Sequence, residues 1–395
     1  MIYRIRTFNE ISPRGLERLP PGRYEVSAWI DDPDAVLLRS EDLHAWPLPP
    51  ALKAIGRAGV GTNNIPVASA SRRGIPVFNA PGANANAVCE LVIAMMIVAV
   101  RNVVPALRFM DRLSGDDLDR EVESAKRQFA GIEIASRTLG VIGLGAIGGR
   151  VAEAASKLGM RVVGFDPHRK DDPSRPVSSV MQRVGELREL LAVADCVTLH
   201  VPLASGTRHL IDAPCLAMMK PGAVLLNFSR EAIVDTSAVR DALVQGRLGG
   251  YVCDFPAREL VGVAGAVALP HLGASTAEAE DNCAIWVADQ VREYLEEGAI
   301  RNAVNFPDVD MARESPHRIA IANANEPNML GQISSTLALA GLNIHNMVNK
   351  SRGEMAYTLV DVDSGIEDAV VRALCSIRGV LAVRIVPQRE YAPTP

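Results

Sequence analysis

The chain has 395 residues, a formal net charge of −5, 48% hydrophobic and 22% charged residues. That balance excludes a disordered chain, and the acidic pI of about 5.9 argues against a nucleic-acid binder that works through a basic surface. The longest apolar run, Leu91 to Val100, is too short to cross a bilayer.

No secretory signal is read in Met1-Ile2-Tyr3-Arg4-Ile5-Arg6, and the six cysteines form no CxxC pair. A soluble cytoplasmic protein with free thiols is expected, without a metal site and without a membrane or nucleic-acid partner. At this length two to four domains are expected.

In chain order, Ala35-Val36-Leu37-Leu38 reads as a buried strand, and Gly74 to Asn79 as another, broken by Pro81-Gly82. Val88 to Val100 is apolar almost all round and predicts a buried helix. From Thr138 to Leu269 the pattern alternates strand and helix. Strands are expected at Leu139–Ile142, Val162–Phe165, Cys196–Leu199, Val224–Leu226 and Gly250–Cys253. This predicts a parallel sheet with helices on both faces. Ala277 to Glu297 reads as one long helix closed by Gly298. Asn305 to Pro316, with two prolines and several acids, reads as a linker. The last block, from His317 to Val386, reads βαββαβ, a ferredoxin-like sandwich.

Gly143-Leu144-Gly145-Ala146-Ile147-Gly148 follows a strand and opens a helix. Gly143 permits the tight turn, Gly145 lets the backbone approach a pyrophosphate, and Gly148 lets helix and strand pack closely. The helix N-terminus offers free N–H groups to phosphate. The next strand ends in Asp166, a little over twenty residues past Gly143. A carboxylate there accepts the ribose hydroxyls and repels a 2′-phosphate, so NAD is expected over NADP. His168, Arg169 and Lys170 follow at once and could tolerate a phosphate.

Hydride transfer at a 2-hydroxy acid needs a cation for the carboxylate, an acid–base group, and a neighbour that sets its protonation. Arg230 follows the strand ending in Leu225-Leu226-Asn227, and guanidinium suits a planar carboxylate. Glu259 lies past the strand Gly250–Cys253. His271 lies just before the long helix, and imidazole is the side chain suited to proton transfer near neutral pH. Alone, each has an ordinary reading: a surface arginine, a solvated loop acid, a structural histidine. Their order at the carboxyl ends of strands, downstream of a dinucleotide turn, makes them the catalytic candidates.

These motifs resemble the D-isomer-specific 2-hydroxyacid dehydrogenases, and the likeness covers nearly the whole chain. It rests on Val36-Leu37-Leu38-Arg39-Ser40, Arg57-Ala58-Gly59-Val60-Gly61-Thr62-Asn63-Asn64-Ile65 and Phe78-Asn79-Ala80-Pro81-Gly82-Ala83-Asn84. The glycine turn, Leu199-His200-Val201-Pro202-Leu203, Asn227-Phe228-Ser229-Arg230 and Pro270-His271-Leu272-Gly273-Ala274-Ser275-Thr276 extend it. Two departures stand out. Glu231-Ala232 follows the arginine where the family usually has glycine, and the stretch from Glu259 to His271 is short.

The resemblance implies Arg230, Glu259 and His271 as the catalytic set. It implies Arg39, Ser40, the N–H groups of Val60 and Gly61, Asn84 and Arg230 around substrate. It implies Gly143, Gly145, Ala146, Ile147, Gly148, Asp166, His200, Val201, Pro202, Thr207, Ser229 and Asp254 around NAD, with Asp254 facing the nicotinamide. Within the family, the likeness is to members that carry a C-terminal ACT domain and oxidise 3-phospho-D-glycerate to 3-phosphohydroxypyruvate. Another D-2-hydroxyacid, such as 2-hydroxyglutarate, or a non-catalytic NADH-sensing regulator are the alternatives.

The fold so implied is two interlocked, doubly wound, Rossmann-like parallel-sheet lobes plus the small domain. The substrate lobe would take 1–97 and 284–310, the NAD lobe 98–283, and the ACT domain 317–390. Arg318 to Ile333 carries the likeness to an ACT domain, and implies L-serine as an effector at Asn323, Asn325 and Asn343 between two copies. A homodimer or homotetramer is expected.

Overall fold

Buried aliphatic runs such as Ala35–Leu38 and Cys196–Leu199 form central strands among three sheets. The computed structural model describes residues 2–114, 117–168 and 181–388. The chain forms two units, 1–84 with 277–395, and 85–276. Arg169 and Lys170 lie outside the described residues.

In the first unit, β1 (Tyr3–Thr7), β2 (Tyr24–Ser27), β3 (Ala35–Leu38), β4 (Ala54–Arg57) and β5 (Val77–Phe78) form a parallel sheet in the order β2-β1-β3-β4-β5. The expected strand from Gly74 to Asn79 is cut to two residues. Gly74 is left-handed at φ +67, Pro76 has no N–H, and the Val77 N–H goes to the Asn305 side chain. The long helix Ala277–Glu297 covers this sheet. Gly56 permits the approach, since a Cβ there would stand 2.8 Å from Val287 Cγ2. Gly298, at φ +74, closes the helix.

The stretch read as a linker is instead packed. Phe306 and Val309 are fully buried and Met311 nearly so, all in the core beneath the long helix. Its apolar residues outweighed its prolines and acids.

The C-terminal domain has β13 (His317–Ala324), β14 (Ile344–Arg352), β15 (Met355–Val362) and β16 (Val380–Val386), after β6–β12 of the second unit. Its antiparallel order is β14-β15-β13-β16. Helices Met329–Leu339 and Asp368–Cys375 cover one face over Ile319, Ile321, Val360 and Val362. The other face, with Ala320, Ala322, Tyr357, Leu359 and Val386, joins the core of the first lobe.

Polar groups of this domain cap the long helix. Arg384 donates to the carbonyls of Leu295 (2.8 Å) and Tyr294, and stands over the Tyr294 ring. Tyr357 donates to Gly298 O (2.8 Å), and Arg318 to Glu297 O (3.2 Å). A helix end leaves such carbonyls without partners and carries negative potential, so cations suit it. Arg318, 1% exposed, also makes a bidentate pair with the fully buried Asp361 at 2.7 and 2.9 Å.

In the second unit, β6 (Thr138–Ile142), β7 (Arg161–Phe165), β8 (Met181–Arg183), β9 (Cys196–Leu199), β10 (Ala223–Asn227), β11 (Leu248–Cys253) and β12 (Ala266–Ala268) form one parallel sheet. Its order is β12-β11-β10-β9-β6-β7-β8. The order reverses between β6 and β9, and the crevice beyond their carboxyl ends is where such sheets hold ligands. Helices Ala85–Val100 and Ala146–Lys157 pack on one face.

Candidate active site

The glycine turn follows β6 at that switch point. Gly143 is at φ +89, and a Cβ there would meet His200 O, at the end of β9, at 2.5 Å. A Cβ on Gly148 would stand 1.9 Å from Gly143 O. A Cβ on Gly145 meets nothing within 4 Å, so that position opens to solvent. Gly145 is the N-cap of helix Ala146–Lys157 and has no side-chain cap. Ala146 is exposed and Ile147 half-buried at its first turn. The helix end is therefore open to an anion.

Asp166 ties this turn to the end of β7. Its carboxylate accepts from Leu144 N at 2.9 Å and His168 N at 3.0 Å. An acid beside an open helix N-terminus, with glycine where backbone must come close, fits a dinucleotide. His200 Nε2 lies 3.0 Å from Thr198 Oγ1, and burial pushes the imidazole pKa down to about 3, so the ring is neutral. Val201 and Pro202 follow it. Thr207 donates to Pro202 O (2.6 Å) and accepts from Ala204 N, which fixes that loop. Ser229 donates to Leu199 O at 2.7 Å.

Arg230 sits one turn past β10. Asn227, fully buried, shapes the turn: its Nδ2 donates to Arg230 O (2.9 Å) and its Oδ1 accepts from Ser229 N (3.1 Å). The Arg230 guanidinium donates to Ser229 O at 2.6 Å and stands 5.9 Å from the Phe255 ring centre. The His271 ring lies 4.8 Å from the same phenyl ring. Phe255 thus brings Arg230 and His271 to one place. Sequence reasoning passed over both Phe255 and the Asn227 side chain. The signal for Phe255 was its place just beyond β11, at the same sheet edge as Arg230.

His271 has φ +59, an uncommon conformation for a residue with a Cβ. Asp254 holds the turn that carries it. The buried carboxylate accepts from Leu272 N and Gly273 N, both at 2.7 Å. Each oxygen of this side chain, expected to face nicotinamide, accepts one N–H of the histidine turn. Glu259 is exposed on a short 3-10 turn, Arg258–Leu260. Among the described residues, no hydrogen bond or ion pair joins Glu259 to His271.

In the other unit, Arg39 follows β3 and pairs with Glu280 at 2.7 Å. Arg57, at the end of β4, donates to Arg39 O at 3.0 Å. Ser40 N is held by Asn9 Oδ1 at 2.9 Å. Asn79 holds Val60 O, while among the described residues the N–H groups of Val60 and Gly61 have no partner. Asn84 Oδ1 is buried and has no partner among the described residues. Free donors beside two guanidinium groups suit an anion.

In the C-terminal domain Asn323 is 1% exposed, and its Nδ2 donates to Ala324 O at 2.7 Å. Asn325 Nδ2 donates to Gly353 O at 3.0 Å. Asn343 lies before β14, whose first residue pairs with Val362, opposite His317. It therefore sits at the other end of the sheet from Asn323 and Asn325, and one chain does not bring the three together.

Among the described residues, no single helix is long and apolar enough to cross a membrane.

Residues 93–280 match the NAD-binding domain of the D-isomer-specific 2-hydroxyacid dehydrogenases, and the chain belongs to that family. It is 32% identical over 351 residues to D-3-phosphoglycerate dehydrogenase of Haemophilus influenzae, covering 85% of this chain and 82% of that one. It is 36% identical over 264 residues to the enzyme of the same name from Methanocaldococcus jannaschii, covering 65% of this chain. It spans about half of that longer relative, 48%. The crystal structure of NAD+-bound 3-phosphoglycerate dehydrogenase from Entamoeba histolytica shares the fold. Its TM-score is 0.63 at 24% identity, over 77% of this chain and 99% of that one.

Proposed function

We propose that this chain is a cytoplasmic, NAD-dependent dehydrogenase that oxidises 3-phospho-D-glycerate to 3-phosphohydroxypyruvate, the reaction that opens L-serine synthesis. The observation that carries the reading is the meeting of Arg230 and His271 at Phe255, on the sheet whose switch point holds the glycine turn. The names of the relatives support the substrate.

Gly143, Gly145 and Gly148, with the open helix end, would hold the pyrophosphate, and Asp166 the adenosine ribose. NAD+ supplies the acceptor for the hydride from substrate C2. Arg230 would grip the substrate carboxylate by two parallel hydrogen bonds and polarise the C2 oxygen. His271 would take the C2 hydroxyl proton on oxidation and return it on reduction. Glu259 would favour the protonated imidazole once a ligand draws the two together. Arg39, Ser40, the N–H groups of Val60 and Gly61, and Asn84 would hold the rest of the substrate, with Arg39 and Arg57 for the phosphate.

The C-terminal domain would act as an ACT module in a homodimer or homotetramer, with L-serine bound between copies. The separation of Asn343 from Asn323 and Asn325 within one chain supports a site made by two.

The test is NADH formation from NAD+ and 3-phospho-D-glycerate by purified protein, with and without L-serine, beside a His271→Ala control. Turnover that vanishes in the variant supports the reading. No turnover in either direction refutes it. Turnover indifferent to serine removes the effector role alone.

A further inference from the structure

Three side chains meet beyond the carboxyl ends of β10 and β11, and one of them carries no charge. The centre of the half-buried Phe255 ring lies 4.8 Å from that of the His271 imidazole, tilted by 51°, and 5.9 Å from the Arg230 guanidinium carbon. The first spacing is that of an attractive aromatic pair, and the second lies within the reach of a cation over a ring. Other groups hold the two backbones. Asn227 fixes the turn of Arg230, and Asp254 the turn of His271. Those bonds stop at the main chain. Beyond it, the Arg230 guanidinium has its bond to Ser229 O. Among the described residues, neither it nor the imidazole has a carboxylate partner.

We propose that Phe255 is a positioning residue, which sets the side-chain directions of Arg230 and His271 that the backbone clamps leave open. This rests on the dehydrogenase reading above. In that reaction the substrate carboxylate and the C2 hydroxyl sit on adjacent carbons and must be gripped together. A small swing of either protein group therefore spoils the geometry of both contacts. A phenyl ring suits the task because it attracts a cation without neutralising it. Arg230 keeps its charge for the substrate carboxylate, whereas an aspartate or glutamate in place of the ring would claim that charge.

The experiment measures kcat and KM for 3-phospho-D-glycerate with NAD+ in the full-length wild type, Phe255→Leu and Phe255→Tyr. Leucine keeps an apolar side chain and removes the ring. Phe255→Leu lowers kcat by about tenfold, the factor that an aromatic pair of the stronger kind represents. It raises KM by about threefold, the factor for a partly exposed cation over a ring. Phe255→Tyr restores both. A mere loss of folded enzyme would lower kcat and leave KM alone, and that outcome overturns the proposal. So does wild-type behaviour in Phe255→Leu, or a Phe255→Tyr variant as impaired as Phe255→Leu. Wild-type protein without turnover in either direction refutes the dehydrogenase reading instead. The positioning is then read by NMR relaxation, from the order parameters of the Arg230 Nε–H and His271 Cε1–H bonds. Both should fall in Phe255→Leu and hold in Phe255→Tyr. Equal values in all three proteins overturn the proposal.

Discussion

Asp254 and Gly273 are joined by a 2.7 Å hydrogen bond from the glycine N–H to the buried carboxylate, and a Cβ on that glycine would stand 2.9 Å from the same oxygen. With the parallel bond from Leu272, this clamp holds His271 in its left-handed conformation. Asp254→Ala leaves two N–H groups without their acceptor, at a cost of about 1–3 kcal/mol each where they stay buried. Unfolding in urea should show that loss. Turnover should fall by roughly a hundredfold, because small misplacement of a reacting group costs that much. A variant with wild-type kcat would show that the clamp does not place the histidine.

The three glycines of the dinucleotide turn should separate under substitution. Gly148→Ala drives a methyl into Gly143 O and should destabilise the protein by about 1–3 kcal/mol. Gly145→Ala meets open space at φ −72, so its melting temperature should stay near wild type. Its NAD+ affinity, read by calorimetry, should drop roughly tenfold or more, since the methyl stands where the pyrophosphate approaches. Equal affinity in Gly145→Ala and wild type would move the pyrophosphate elsewhere.

Neutral His200 predicts a pH signature. Its folded pKa, near 3, lies below the unfolded value of about 6.5. Between the two the unfolded chain binds the extra proton, so stability is full above about pH 6.5 and falls as pH drops towards 3. The slope from this one group is at most about 1.4 kcal/mol per pH unit. Urea midpoints from neutral pH downward should show a shallower fall in His200→Gln. Identical slopes would mean that the ring takes up its proton while folded.

The Arg318–Asp361 pair should behave as a buried unit. Arg318→Met alone strands the Asp361 carboxylate and should cost about 3–5 kcal/mol. Adding Asp361→Leu should recover part of that loss. Chemical unfolding of the two variants gives the comparison. A double variant no more stable than the single one would place the cost in the helix carbonyls that Arg318 also serves.

What the sequence made legible was local. The Cys196–Leu199 strand and the helix Ala277–Glu297 appear with the expected ends, because an aliphatic run and a closing glycine are decided by neighbours in the chain. The glycine turn after β6 and the place of Arg230 just past β10 were readable for the same reason. What escaped depends on distant partners. Nothing near Asp254 announces that its oxygens serve Leu272 and Gly273, and Phe255 gains meaning only once β10 and β11 lie side by side. The packed stretch from Asn305 to Pro316 was misread because its prolines are visible in the chain and the cavity that takes Phe306 is not.

The small C-terminal domain is also the stopper of the long helix. A chain cut before His317 would not be a shorter enzyme with a clean end. It would expose the carbonyls that Arg384, Arg318 and Tyr357 serve, together with Tyr294 and Phe306 beneath them. A foreign domain grafted at that point must therefore bring its own guanidinium groups and its own apolar sheet face. Among descendants of this chain, shedding the module should require first rebuilding the helix end it covers.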